Sequence, residues 1–337
     1  MSSPSCHEPS TMNYTLLFCR ENWHLYGQQP RIMKKLFTLL LLLASFCGFA
    51  QKITLALNLK QDSTYYLTTN ANLTVVQDLP GQKQVISTIM SARVSHKVIA
   101  IRDSVYDMEV QYKRLNMSME IGGKTMGFGS DDSLSSNPAS KAMAGLLNKT
   151  FNITITKSGK VLEVKNLDKV FDAIYSGNTQ ISDAQKTQIK NEMQQTFGEK
   201  TMKTNFQDAF AVFPGRSVAV GETWQNKSSL ESIISCNTVT TFSITDQQAN
   251  SYQVNGTIAF TPNGDGGYKP FKGMMMRYDN ISGTGTNKIK LDKTTGWITE
   301  AFIVKNMQGT VHIQDCPQVP GGITFAMSVA ADLTVTN

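Results

Sequence analysis

The chain has 337 residues, of which 40% are apolar and 17% charged, with a net charge of +6 at pH 7. That is apolar material for one large or two medium domains. The positive charge is mild and scattered, which argues against a nucleic-acid surface, because such a surface needs a basic patch and a recognisable module.

Residues 1–32 are polar, with scattered aromatics and no apolar period. They read as an upstream extension from a misassigned start, with Met33 the true first residue; a cytoplasmic tail ahead of a membrane anchor is the rival reading. Lys34 and Lys35 then precede an apolar run from Leu36 to Phe46, followed by Gly48-Phe49-Ala50. A basic start, a short apolar centre and a small-residue end make a secretory signal over residues 33–50, cleaved between Ala50 and Gln51. The apolar run is too short for a bilayer, which takes about 20 residues. Cys47 raises the possibility of a lipid anchor, but Phe46 stands where a lipoprotein signal has a small residue, so a soluble product is favoured. The expected mature protein is exported to the periplasm or beyond and is not integral to a membrane. Removing Arg20, Arg31, Lys34, Lys35, Glu8 and Glu21 with the first fifty residues lowers the net charge to +4.

The strongest period after residue 50 is two. Ile53, Leu55, Leu57 and Leu59 alternate with polar residues, as do Ile86, Met90, Ala92, Val94 and Val98, and Tyr106, Met108, Val110 and Tyr112. Alternation of this kind predicts strands with one dry face, and therefore antiparallel sheet. The middle of the chain has helical spacing instead. Asn137-Pro138 predicts a short helix through Met143 and Leu146, with proline in its first turn. Asn166 heads a second carrying Leu167, Val170, Phe171 and Ile174, ended by Gly177. Ser182 with Gln185 reads as a capping box for a third, ended by Gly198. A fourth starts near Glu199 and presents Met202, Phe206 and Phe210. Strands resume after Pro214-Gly215 and include Tyr252, Val254, Ile258 and Phe260; then Ile298, Phe302 and Val304; then a long run from Ile323 to Val335. The fold class is α+β, mainly antiparallel β: long curved sheet with a helical insertion at about 138–211. Residues 51–215 form an N-terminal sheet unit and 216–337 a C-terminal one. A weak echo links Ile153–Val161 to Ile289–Ile298, both hairpin-like with glycine in the turn, and hints at two related sheet units.

The search for chemistry returns mostly negatives. There is no G-x-S-x-G, no H-E-x-x-H, no G-x-x-x-x-G-K and no C-x-x-C. Two histidines lie beyond residue 50, His96 and His312, each in a strand-like segment without a visible partner constellation. Asn263-Gly264-Asp265-Gly266 lacks the further acidic residues of a calcium loop. No cofactor and no metal is expected. Cys236 and Cys316 are the cysteines left after cleavage; an oxidising compartment favours a disulfide between them. Met274-Met275-Met276 and the total of 16 methionines suggest adaptable apolar surface or core filler.

One constellation resembles a known family. Phe213-Pro214-Gly215, then Val218-Ala219-Val220-Gly221-Glu222-Thr223-Trp224, then a G-x-G-x-N-x-I-x-L-D run from Gly283 to Asp292, resembles an uncharacterised family of secreted proteins found chiefly in Bacteroidota, the domain of unknown function numbered six-two-six-three. The resemblance implies no activity. In this segment Gly221 is expected to allow a turn and Trp224 to anchor the following strand in the core. At fold level the pattern is also similar to periplasmic lipoprotein carriers of the half-barrel type. The resulting expectation is an exported, non-enzymatic envelope protein that binds a lipid or other hydrophobic ligand on a curved sheet. The alternative is a structural module with envelope-protein partners and no ligand site; a hydrolase using His96 or His312 is less favoured.

Overall fold

Residues 52–132, 137–175, 198–210, 212–231, 235–263, 267–271 and 273–337 are described here, with the isolated positions 182 and 187, from a computed structural model. The signal region, the expected cleavage point and the third expected helix lie outside the described residues.

The period-two segments form one antiparallel sheet. Its strands are β2 (Thr64–Leu79), β3 (Gln82–Arg102), β4 (Val105–Ile121), β5 (Lys124–Gly129), β6 (Thr150–Thr156), β7 (Val161–Lys165), β9 (Thr223–Glu231), β10 (Ser235–Gln247), β11 (Ser251–Pro262), β12 (Lys269–Phe271), β13 (Met274–Asp292), β14 (Ile298–Ile313) and β15 (Ile323–Thr336). The main path runs β7-β6-β4-β3-β2-β15-β14-β13-β11-β10-β9, with β5 added beside β4 and β12 beside β13. The last strand pairs with the first long one, from Thr68 opposite Thr336 to Asp78 opposite Ala326. The two sheet units expected on either side of residue 215 therefore share one hydrogen-bonded ladder.

Three helices are described: α1 (Pro138–Leu146), α2 (Leu167–Tyr175) and α3 (Glu199–Phe210). The Asn137 side chain accepts from Ala139 N at 2.9 Å and Pro138 begins the helix, as the sequence predicts. Asn166 acts differently from a cap. It takes a left-handed φ of 65°, and its side-chain amide donates to Asn152 on β6. Helix α3 turns Met202, Phe206 and Phe210 to the core and touches both edge strands of the path. Gln207 accepts from Val161 N on β7, and Lys203 donates to Leu162 O. On the far side, the Trp224 indole of β9 donates to Val212 O, just beyond the helix.

That double contact fixes the shape. Eleven strands laid flat would measure about 48 Å from edge to edge at 4.8 Å per step, whereas a twelve-residue helix is about 18 Å long. The sheet must be rolled. Strands β13 and β14 approach closely where a Cβ on Gly283 would fall 2.2 Å from Asn306 O and one on Gly285 2.4 Å from Val304 O. Among the described residues β7 and β9 do not pair, so the roll is seamed by a helix rather than closed as a barrel.

One end of the roll is plugged. Ile53 and Thr54 pair with Val218 and Ser217 as a two-stranded ladder, β1 with β8 (Ser217–Val218). Beyond it, Leu55, Leu57 and Leu59 are buried as their alternation predicts, yet they join no strand ladder. This stretch is a strap: Leu57 N donates to Lys157 O in the β6–β7 turn, and Asn58 N to Thr295 O in the β13–β14 turn, both at 2.8 Å. The two hairpins that echo each other in sequence are thus gripped by consecutive residues. Tyr106, 1% exposed, ties the strap from inside: its hydroxyl donates to Leu57 O and accepts from Leu59 N.

Tyr106→Phe strands that buried carbonyl and that amide without a partner. It should destabilise the protein by about 2–4 kcal/mol, read as a lower urea midpoint at an unchanged m-value.

Candidate functional site

Cross-strand register lays the inward residues in rows across the roll. Nearest the plug runs Ile244, Val254, Ile289, Ala301, Val335, Thr69, Ala92 and Leu115. The next is Trp224, Phe242, Gly256, Asn287, Ile303, Leu333, Ala71, Met90 and Met117. The third is Asn226, Thr240, Ile258, Gly285, Lys305, Ala331, Leu73, Thr88 and Met119, and the fourth Ser228, Thr238, Phe260, Gly283, Met307, Val329, Val75, Ile86 and Ile121.

Burial changes along these rows. At the plug the side chains pack against helices and strap in one core, with Val98, Met108, Phe151, Ile244 and Leu291 fully buried. Further out, Leu73, Val75, Ile86, Met117, Met119, Ile121 and Leu333 are only half-buried, and Met90 is 37% exposed. The helices rest mainly on β4 to β7 and on β9, leaving this middle stretch to the strands themselves. At the far end a smaller core of Met276, Val311, Phe325 and Met327, with Phe271 of β12 against it, covers one side. The result is an apolar trough between two packed ends.

The trough has two unlike walls. Strands β15, β2, β3 and β4 give leucine, valine, isoleucine and methionine. Strands β9, β10, β11, β13 and β14 surround a recess of about 50 Å³ lined by Asn226, Lys227, Ser228, Thr238, Thr240, Asn287 and Lys305 and by the apolar Phe242, Ile258 and Ile303. Asn287 is 8% exposed, and its Oδ1 has no hydrogen-bond partner. A larger open depression of about 620 Å³ is lined by Thr74, Thr284, Asn306, Gln308 and Ser328 together with the apolar Val76, Phe260, Met307 and Val329.

The histidines are not brought together. His96 is 2% exposed inside the plug, edge-on to Phe206 and Phe210 of α3 and to Trp297, with ring centroids 5.3–6.3 Å apart. Its Nδ1 has no partner. Burial pushes the imidazole down to about 4, against a weaker upward pull from a backbone hydrogen bond at Tyr65. His312 lies near the other end of β14, its Nε2 3.0 Å from Asp279 and its Nδ1 2.9 Å from Thr324 Oγ1. Asp279 is shared with Arg277 at 2.8 Å, so this is a cross-strand polar ladder. Among the described residues no cluster of three His, Cys, Asp or Glu could hold a metal ion, and no helix is long and apolar enough to cross a membrane.

Cys236 and Cys316 are not joined by a disulfide. Cys236 is buried on β10 beside Ile258, Phe260 and Ile281; Cys316 lies in the turn after β14. Strands β11 and β13 stand between β10 and β14 in the ladder order. Gly221, with φ 83°, turns the chain into β9, and Trp224 is buried at its start. The G-x-G-x-N-x-I-x-L-D run places Gly283, Gly285, Asn287, Ile289 and Leu291 on the inner face.

Fold and trough define a rolled antiparallel sheet protein with a helix-seamed opening and an apolar inner face. A family model described as "Family of unknown function (DUF6263)" matches residues 103–298, and the chain belongs to that family. No curated protein matches it. Among solved structures it is similar to an outer membrane channel from Pseudomonas putida F1, at 7% identity over 83% of this chain and 97% of that one, with a TM-score of 0.19. That likeness is too weak to carry an argument.

His96 gives the plug a pH signature. The unfolded histidine titrates near 6.5 and the buried one near 4, so between those values the unfolded chain binds more protons. Stability is complete above about pH 6.5 and falls, by up to about 3 kcal/mol, as the pH drops to 4. Urea midpoints at pH 7 and pH 5 should diverge in the wild type and diverge less in His96→Phe.

Proposed function

We propose that the protein is an exported, non-enzymatic envelope protein that holds a hydrophobic ligand, a lipid chain or similar, in the trough of the rolled sheet. The observation that carries this reading is the run of inward Leu73, Val75, Ile86, Met90, Met117, Met119 and Leu333, left half-buried or exposed between two packed ends. Apolar side chains on the closed side of a sheet are normally covered, at roughly 25 cal/mol per Å²; a bound chain would cover these. Methionine suits such a surface because its unbranched side chain repacks around ligands of different shape. Export rests on the Lys34-to-Ala50 signal, and the absence of a reaction on the separate, unconnected settings of His96 and His312.

The test is saturable binding of the neutral dye N-phenyl-1-naphthylamine by the purified protein, together with native mass spectrometry for co-purifying lipid. Met117→Asp and Leu73→Asp place a charge on the apolar wall and should each weaken dye binding about tenfold or more. A protein that binds no dye and carries no lipid would instead be a structural module of the envelope with a trough that stays empty.

A further inference from the structure

The recess, with polar groups set among apolar ones, says which kind of hydrophobic molecule the trough would take. Resting on the reading above, we infer that the ligand is a long acyl chain ending in a carboxylate, with Lys305 as the partner of its head. Lys305 occupies an inward position on β14, where the strand otherwise turns Ile303 and Met307 to the trough. Its ladder neighbours are Gly285 and Ala331, too small to wall in the ammonium. The four inner rows contain no aspartate or glutamate, and among the described residues no ion pair or side-chain hydrogen bond engages Lys305. Lys305 is half-buried and has no counter-charge, so its ammonium is open to a charge-assisted contact with an incoming anion.

The recess supplies the rest of a carboxylate site. Asn287 is more than nine-tenths buried and lines the recess; its side-chain amide carries two N–H donors. Thr238 and Thr240 add hydroxyls. A volume of about 50 Å³ admits a carboxylate and a water or two, but not a phosphodiester headgroup. From there an alkyl chain running across the rows meets Ala331 and Leu333, then Ala71 and Leu73, then Met90, Met117 and Met119, in register. Polar wall and apolar wall thus face the two ends of one amphiphile.

The experiment compares hexadecanoic acid with hexadecanol as competitors for bound N-phenyl-1-naphthylamine, at neutral pH, on wild type and on Lys305→Met. In the wild type the acid should displace the dye at about tenfold lower concentration than the alcohol, the gain expected of a charge-assisted contact. In Lys305→Met the two should converge, each potency being read against the variant's own dye affinity, with an unchanged circular dichroism spectrum showing that the variant folds. Equal potency of acid and alcohol on the wild type overturns the carboxylate assignment and leaves the apolar site standing. If the dye does not bind the wild type, the reading of the trough falls, and this inference with it.

Discussion

Helix α3 holds together two strand edges that are far apart along the sheet. One edge, β7, finds partners for its Val161 amide and Leu162 carbonyl in Gln207 and Lys203 of the helix. The other, β9, is tied by Trp224 to the chain just past the helix end. Edge groups that would otherwise invite another chain are met by side chains, and the sheet between them has to roll. Everything else follows from the roll: there is an inside, the strap and helices can fill only one end of it, and the long central strands carry the remaining apolar face outward. β3 alone is 21 residues, about 70 Å, and only its last third lies in the plug.

Much of this architecture is legible in the sequence, because period two survives wherever one face is dry. The alternation from Ile323 to Val335 reads directly as the inner face of β15, and Met202, Phe206 and Phe210 read directly as the buried stripe of α3. Other features are not legible, for physical reasons. The alternation of Leu55 to Leu59 is that of a strand, but its amides at Leu57 and Asn58 go to two hairpin turns, so here the pattern reports burial without reporting ladder pairing. Cys236 and Cys316, paired in expectation from compartment alone, are not joined in the structure. Bulges flank the rows that build the trough: near Arg93 and Val94 at one end, and between Asp279 and Ser282, where Asn280 takes φ 53°, at the other. A bulge moves the inward set from one parity to the other, so the inward face of the trough cannot be traced into the packed ends by alternation alone.

Lys305 shows the limit most clearly. In Phe302 to Gln308 the outward positions include Phe302 and Val304, 48% and 39% exposed, while a lysine takes an inward one. Read by hydropathy alone, the segment faces the wrong way. The one available signal is the G-x-G-x-N run opposite, whose glycines and Asn287 share the face of Lys305. In the fold these residues serve two ends: the glycines let β13 approach β14, and the absence of side chains there opens the recess.

The distance between the two edge strands tests the roll most directly. Spin labels on Leu162→Cys of β7 and Gln225→Cys of β9, both exposed positions, in a background with Cys236 and Cys316 replaced, report it by pulsed dipolar spectroscopy. A sheet seamed by α3 gives a narrow distribution below about 30 Å; a distribution centred near the roughly 48 Å of a flat sheet would contradict the account.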